Sequence, residues 1–147
     1  MVVTAAHGMV SSVMRIPAGH VVGLDLNSSC LYGSINSSSS LFHLVHLQKL
    51  NLAFNDFSGS QIPSAFGNLS ELTNLLQLSN SLFFGQIPSE ISKLSKISYL
   101  DLSSNYGQSS EKLLEIGMPD QRSLVQNLSN IEYLNLGSVD ISSPIPD

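Results

Sequence analysis

Two histidines and two glutamates are the first candidates for metal binding or acid–base catalysis. His43 and His46 lie three residues apart, which could place two imidazoles on one face as metal ligands. No third ligand stands nearby in the sequence, so we expect surface histidines and predict no metal site and no cofactor. Glu111 and Glu115 are four residues apart and could share one face of a helix, and we interpret that face as solvated.

Motifs of nucleophilic, metal-assisted and phosphate chemistry are missing from the sequence. It contains no Gly-x-Ser-x-Gly turn, no His-Glu-x-x-His pair and no Gly-x-x-x-x-Gly-Lys loop. Cys30 is the only cysteine, so it cannot form an internal disulfide, and we expect a packed or surface thiol. The sequence therefore predicts a protein that is not an enzyme.

Composition restricts the function classes further. The chain has 147 residues, of which 23 are leucine and 28 are serine, and its net charge is -5. Charged residues make up 12%, against roughly 25% in ordinary globular proteins. Six Lys plus Arg are too few for a nucleic-acid or acidic-membrane surface, so we predict neither contact. The first residues make a poor secretory signal because no Lys or Arg precedes Arg15, which favours a truncated N-terminus.

The leucines recur at a fixed period. A Leu-x-Leu frame appears five times, and its second leucines are spaced by 26, 26, 24 and 34 residues. The first three spacings fall within the roughly 20–29 residues of a leucine-rich repeat. The five second leucines are Leu26, Leu52, Leu78, Leu102 and Leu136.

Elementary geometry explains the frame. Alternation in x-Leu-x-Leu-x has period two, so both leucines point into one core and their neighbours face water. The repeat asparagines Asn55 and Asn105 should turn inward and bond backbone groups left unpaired at the bend. Between strands, apolar residues recur every third position, which favours 3₁₀ or short helical turns.

We therefore predict an α/β fold, a right-handed leucine-rich repeat solenoid with short parallel strands on the concave face and 3₁₀ or short helical turns on the convex face. Residues 1–19 are expected to form a degenerate or truncated cap, and residues 20–147 about five repeats. The long fourth repeat carries an insertion at about 106–123, which we expect to protrude, with helix from Glu111 to Ile116. Asp120 is predicted to lie in a turn or at a helix start.

Several sequence segments resemble those of one protein family. The segments 50–59, 85–91 and 100–105 are similar to plant extracellular leucine-rich repeats, and residues 19–147 together resemble the N-terminal part of plant receptor-like proteins of the disease-resistance type. The resemblance implies an extracellular or cell-surface ectodomain that recognises a peptide or protein ligand and signals through a co-receptor kinase. The chain departs from the family in lacking a tryptophan and paired cysteines before its first repeat, and it stops mid-frame, which indicates part of a longer receptor.

Ligand contacts are expected on the concave strand face, where binding surfaces of solenoids lie. The frame places nine exposed positions there: Lys49, Asn51, Phe54, Gln77, Asn80, Tyr99, Asp101, Tyr133 and Asn135. Phe54, Tyr99 and Tyr133 are the most interface-like because aromatic residues anchor binding surfaces. The alternative is a solvated scaffold whose ligand contacts lie in other repeats.

Four Asn-x-Ser triplets are candidates for N-glycosylation if the chain is secreted. Asn68 and Asn127 stand in Asn-Leu-Ser at the same place in the repeat, which favours them over Asn36. Asn27 falls on the concave strand, where a glycan would obstruct binding.

Three functions remain open. The first is a non-catalytic recognition module of a plant immune or developmental receptor. It would lie at the plasma membrane's outer face or in the apoplast if the full-length protein carries a signal peptide. The second is a secreted inhibitor of a microbial wall-degrading enzyme that uses the same face. The third is a truncated product without independent function.

Overall fold

The main sheet runs the length of the molecule. The structure is a computed structural model that describes residues 2–5, 12–58, 60–106, 113–117 and 120–141. Six strands form this sheet in the order β10-β8-β6-β5-β3-β2. Their bounds are β2 Ser12–Arg15, β3 Val21–Asp25, β5 Lys49–Asn51, β6 Leu75–Gln77, β8 Tyr99–Asp101 and β10 Tyr133–Asn135.

The five strands that carry the Leu-x-Leu frame are all parallel, and their registers align. Leu24, Leu50, Leu76, Leu100 and Leu134 pair in sequence across the sheet. The strands are short because each coil must turn again after the second leucine. The predicted parallel sheet is thus confirmed, whereas antiparallel β2 was not predicted and extends the sheet beyond β3.

A second set of strands follows the bend in the first, third, fourth and fifth coils. Strands β7 Gly85–Gln86, β9 Leu114–Glu115 and β11 Val139–Asp140 form a parallel sheet in the order β11-β9-β7. Strand β4 Leu31–Ser34 pairs antiparallel with β1 Val2–Ala5. These strands were not predicted, since two- to four-residue segments carry almost no periodic signal.

Short helical turns form the convex side, as the three-residue apolar spacing predicted. Three are 3₁₀ helices, η1 Ser40–His43, η2 Ser64–Asn68 and η3 Ser89–Lys93. The fourth is the α-helix α1 Asp120–Asn127, which begins at the residue predicted to start a turn or helix. No helix in the described parts of the chain is long and apolar enough to cross a membrane.

The predicted helix from Glu111 to Ile116 is wrong. Leu114 and Glu115 form β9, and the buried side chains of Leu114 and Ile116 flank the exposed Glu115. This alternation has the period of a strand, which docks between β7 and β11. Glu111 itself lies outside the described residues.

One continuous core fills the space between the sheets and the convex turns. The frame leucines of the central coils, Leu50, Leu76 and Leu100, are 0% exposed. Leu24 and Leu134 in the first and last described coils are only partly buried. Phe57 and Phe83 stack within the core with ring centroids 5.1 Å apart. Burial of the frame leucine therefore decreases from the middle of the solenoid toward both described ends.

Candidate recognition surface

Two rows of outward side chains cross the concave sheet. The first row contains Gly23, Lys49, Leu75, Tyr99 and Tyr133, which are register partners in successive strands. The second row lies two residues further along each strand and contains Asp25, Asn51, Gln77, Asp101 and Asn135. Five strands about 4.8 Å apart give each row a span of roughly 19 Å.

Tyr99 and Tyr133 form a stacked pair in the first row. Their ring centroids are 4.3 Å apart and their planes differ by 8°. Burial is the main cause that raises the pKa of Tyr99, and the neighbouring Tyr133 and Asp101 raise it further. Asn135 Nδ2 donates to the Tyr133 hydroxyl at 3.3 Å and to Ser103 Oγ at 3.1 Å. Stacking and the Asn135 hydrogen bond therefore fix the two rings as an aromatic surface, with the hydroxyl groups at its edge.

A shallow groove follows the first row across the sheet. Lys49, Leu75, Tyr99 and Tyr133 line a depression of about 310 Å³. A second depression of about 230 Å³ shares Lys49 and Leu75 and continues past Met14 to the edge strand. The two together offer apolar and aromatic surface, which is enriched at protein-binding faces, beside the Lys49 ammonium and the carboxylates of Asp25 and Glu132.

Most side chains of the second row form hydrogen bonds with the backbone of their own coil. The Oδ1 atoms of Asn51, Asp101 and Asn135 accept hydrogen bonds from Ala53, Ser103 and Gly137 N–H groups at 2.9–3.0 Å. Asp25 closes the same turn by accepting from Asn27 N–H at 3.0 Å. Each bond spans two residues, so these side chains form Asx turns that end the strand.

The expected exposure of Asp101 is wrong. The residue is 6% exposed, because neighbouring strands cover it on both sides and its turn holds it down. Asn51, Gln77 and Asn135 are partly buried, while Lys49 and Tyr133 are exposed. The sequence signal for this role is an Asn or Asp at the end of the strand, because its side chain can accept a hydrogen bond from the N–H two residues later.

Phe54 and Asn80 lie beyond the strands, at the bend. Their φ angles are 56° and 52°, in the left-handed region. Phe54 is 56% exposed and Asn80 is partly buried. Equivalent residues in the other coils share this backbone conformation: Ser28, Ser104 and Ser138. Phe54 therefore projects from the edge of the concave face, not from a strand.

The repeat asparagines Asn55 and Asn105 directly follow the left-handed residues, and their side chains turn inward. Asn55 Nδ2 donates to the carbonyls of Leu26 and Leu52 at 2.9 and 2.8 Å, and its Oδ1 accepts from Leu31 N–H at 3.0 Å. Asn105 likewise joins its own coil to the preceding one, through Leu102 and Leu78. Each asparagine therefore supplies polar partners to two coils at once.

Sequence reasoning missed the serine that fills this position in the third coil. Ser81 Oγ donates to Leu52 O at 2.8 Å and accepts from Asn55 N–H at 3.5 Å. Asn105 Oδ1 in turn accepts from Ser81 N–H at 3.0 Å. Asn55, Ser81 and Asn105 thus form a continuous polar column, and no buried side-chain polar atom of the described residues lacks a partner.

The four glycosylation triplets differ in accessibility. Asn36, Asn68 and Asn127 are exposed, whereas Asn27 is partly buried and its hydroxyl-bearing partner Ser29 is buried. In the Asn68 and Asn127 triplets the middle leucine belongs to the core. All three residues of the Asn36 triplet are exposed.

The histidines are exposed, and one makes a ring contact. His46 lies against His20 of the preceding coil, with ring centroids 4.0 Å apart and planes inclined by 44°. His43 ends η1 at the surface. Within the described residues no three His, Cys, Asp or Glu side chains group as metal ligands.

Comparisons with known proteins agree with the fold. A family model described as Leucine Rich Repeat matches residues 46–69. Receptor-like protein 6 of Arabidopsis thaliana is 43% identical over 129 residues, covering 88% of this chain and 13% of that protein. Receptor-like protein Cf-9 of Solanum pimpinellifolium is 46% identical over 128 residues, covering 87% of this chain and 14% of that protein.

Solved receptor ectodomains have a similar fold. Arabidopsis receptor kinase HAESA, solved with the peptide hormone IDA and the co-receptor SERK1, superposes with a TM-score of 0.67 at 32% identity, covering 85% of this chain and 19% of that one. The ectodomain of the Arabidopsis receptor kinase SOBIR1 gives a TM-score of 0.67 at 27% identity, covering 92% of this chain and 68% of that one.

The fold and the concave face therefore define a leucine-rich repeat solenoid of the kind found in plant receptor ectodomains. Over most of its length the chain is similar to the leucine-rich repeat receptor-like proteins of plants. It spans about one seventh of the length of the curated relatives it matches.

Proposed function

We propose that this chain is a non-catalytic recognition segment of an extracellular receptor, and that it binds a peptide or protein ligand on its concave face. The observation that carries the proposal is the first row, in which the stacked Tyr99 and Tyr133 stand beside Leu75 and Lys49. Stacked rings lose little conformational entropy on binding because they are already held, and aromatic residues anchor binding surfaces.

The proposal assigns unequal roles to the predicted contacts. Tyr99, Tyr133 and Lys49 make the main contacts, and Phe54 adds an apolar contact at the edge of the groove. Asn51, Asp101 and Asn135 shape the sheet edge through their turns, and their remaining polar atoms give secondary contacts. Gln77 in the second row and Asn80 at the bend contact the ligand backbone through their amides.

A co-receptor kinase is the second partner in this proposal. HAESA is solved with a peptide hormone and a co-receptor, which supports a similar arrangement for a receptor containing this chain. The segment then acts on the outer side of the plasma membrane or in the apoplast. A secreted inhibitor of a wall-degrading enzyme would use the same groove, but the relatives are receptor-like proteins, which favours the receptor.

The test selects peptides from a displayed random library on the immobilised chain and measures their affinity for variants. Tyr99→Ala with Tyr133→Ala should weaken binding by at least about tenfold, since anchor residues contribute roughly 2 kcal/mol or more. Tyr32→Ala is the matched control, because Tyr32 is a similarly exposed tyrosine in β4, outside the concave rows. Equal affinities for the double variant and the control would refute the proposal.

A further inference from the structure

We propose that Asn36 is N-glycosylated and that the first sugar of its glycan lies in a groove on the side of the solenoid, across three coils. The inference rests on the secretory route contained in the proposed function. It concerns a surface separate from the concave rows. The groove has a volume of about 580 Å³, within the roughly 300–1,000 Å³ of small-molecule sites.

The turn that carries Asn36 is fixed on both sides. Before it, Ile35 is buried and its N–H donates to Ser60 Oγ of the next coil at 2.8 Å. After it, Ser39 is buried and its N–H donates to Asn36 O at 2.9 Å, closing the turn that leads into η1. A glycan on Asn36 would therefore leave the protein in a defined direction.

The side-chain amide is also oriented. Asn36 Oδ1 accepts hydrogen bonds from Ser38 N–H at 3.0 Å and from Ser38 Oγ at 2.6 Å. These contacts hold the oxygen against the turn, and the nitrogen Nδ2, which bears the glycan, is thereby directed away from it. In the Asn127 triplet the Ser129 N–H contacts only the main-chain oxygen of Asn127.

The groove beside Asn36 has the chemistry of a sugar-binding surface. None of the described residues that line it is charged. Its walls offer the hydroxyls of Ser37 and Ser64 and the amides of Gln61 and Gln86, which can donate to or accept from sugar hydroxyl and acetamido groups. Its apolar surface comes from Ile35, Ile62, Pro63 and Pro88, and can take the carbon face of a pyranose ring.

The groove also joins successive coils. Ser34 to Ser37 belong to the first coil, Ser60 to Ser64 to the second, and Gln86 and Pro88 to the third. Ser37 Oγ and Ser64 Oγ lie 3.5 Å apart across the first junction. A sugar seated here would cover apolar surface of three successive coils.

The attachment is an ordinary glycosyl transfer. Asn36 Nδ2 forms a bond to the anomeric carbon of N-acetylglucosamine carried on a lipid diphosphate. The bond between that carbon and the phosphate oxygen breaks, and the lipid diphosphate leaves. The transferase of the secretory pathway takes up the proton lost from Nδ2.

The experiment secretes the full chain, behind an added signal peptide, from cells that keep their glycans in the high-mannose form. Intact mass and glycopeptide mapping should find Asn36 occupied, and Asn36→Gln or Ser38→Ala should remove that glycan. An endoglycosidase that cuts between the two core sugars then measures access. Native protein should release the Asn36 glycan at least about tenfold more slowly than denatured protein, since the sugar must first leave the groove.

Two variants keep the triplet but fill the groove from opposite walls. In Ser64→Trp and Gln86→Trp, both at exposed positions, the native glycan should be released as fast as from denatured protein. An unmodified Asn36, equal release from native and denatured protein, or slow release in both filled variants would each overturn the proposal. Because ligand binding is not measured, these outcomes do not depend on whether the concave face binds a peptide.

Discussion

At the residue scale, the bend of the first four coils differs with the residue at one position, which is either asparagine or serine. Where that position is asparagine, its amide spans the bend and reaches the carbonyls of two coils, as Asn105 does. Where it is serine, as at Ser29 and Ser81, the following residues Cys30 and Leu82 adopt φ of 53° and 60°. We attribute this second left-handed residue to the shorter side chain, which requires the backbone itself to turn further.

The tyrosine pair gives a prediction that depends on pH. Burial, with help from Tyr133 and Asp101, raises the pKa of Tyr99, so the folded protein holds this proton to higher pH than the unfolded chain does. The stability associated with neutral Tyr99 is complete below the unfolded pKa and is lost as pH rises through the folded one. Stability should therefore decrease on the alkaline side of the ordinary tyrosine pKa.

NMR titration of ring ¹³Cζ signals, with the Tyr99 signal assigned through Tyr99→Phe, measures this shift directly. The midpoint should lie above the ordinary tyrosine value, and Tyr133→Phe should lower it, because that variant removes the neighbouring hydroxyl. An ordinary midpoint in the parent chain, or one unaffected by Tyr133→Phe, would contradict this account of the pair.

At the element scale, the spacing of apolar residues predicted the strands and turns that recur from coil to coil. It failed in the long unit, where this spacing is interrupted. Buried leucines at period two identified the strands, and apolar residues at period three identified the 3₁₀ turns. β9 was missed because it pairs through a two-residue segment inside the long unit, where no neighbouring repeat supplies a frame. Asp101 was misjudged because its burial depends on a turn bond, which alternation does not represent.

Packing between successive convex turns gives the prediction at this scale. A Cβ added to Gly67 in η2 would clash with the main-chain oxygen of Glu90 in η3. Backbone cannot rotate away as a side chain can, so Gly67→Ala should force the two coils apart and destabilise the protein by about 1–3 kcal/mol.

Gly117→Ala is the matched control, since a Cβ there meets nothing within 4 Å. Chemical denaturation of both variants measures the difference. Equal unfolding free energies for Gly67→Ala and the parent chain would show that η2 and η3 are not packed as described.

At the scale of the whole molecule, the solenoid is a row of coils, each supported mainly by its two neighbours. Stability is then a sum of coil and junction contributions, so a residue's importance depends on where its coil stands in the row. Leu76 in the third coil is 0% exposed, whereas Leu134 at the equivalent strand position in the last described coil is only partly buried. The frame predicts the same inward leucine at both positions, but it contains no information about neighbouring coils.

This gradient predicts different costs for the same substitution. Leu76→Ala should destabilise the chain by about 2–5 kcal/mol, since it leaves a cavity between two covering coils. Leu134→Ala should cost less, because part of its side chain is already in water. Hydrogen exchange followed by mass spectrometry separates the coils: Leu76→Ala should raise exchange in β5, β6 and β8, whereas Leu134→Ala should raise it only around β10. Uniform loss of protection in both variants would mean that the coils unfold as one unit and that position in the row does not matter.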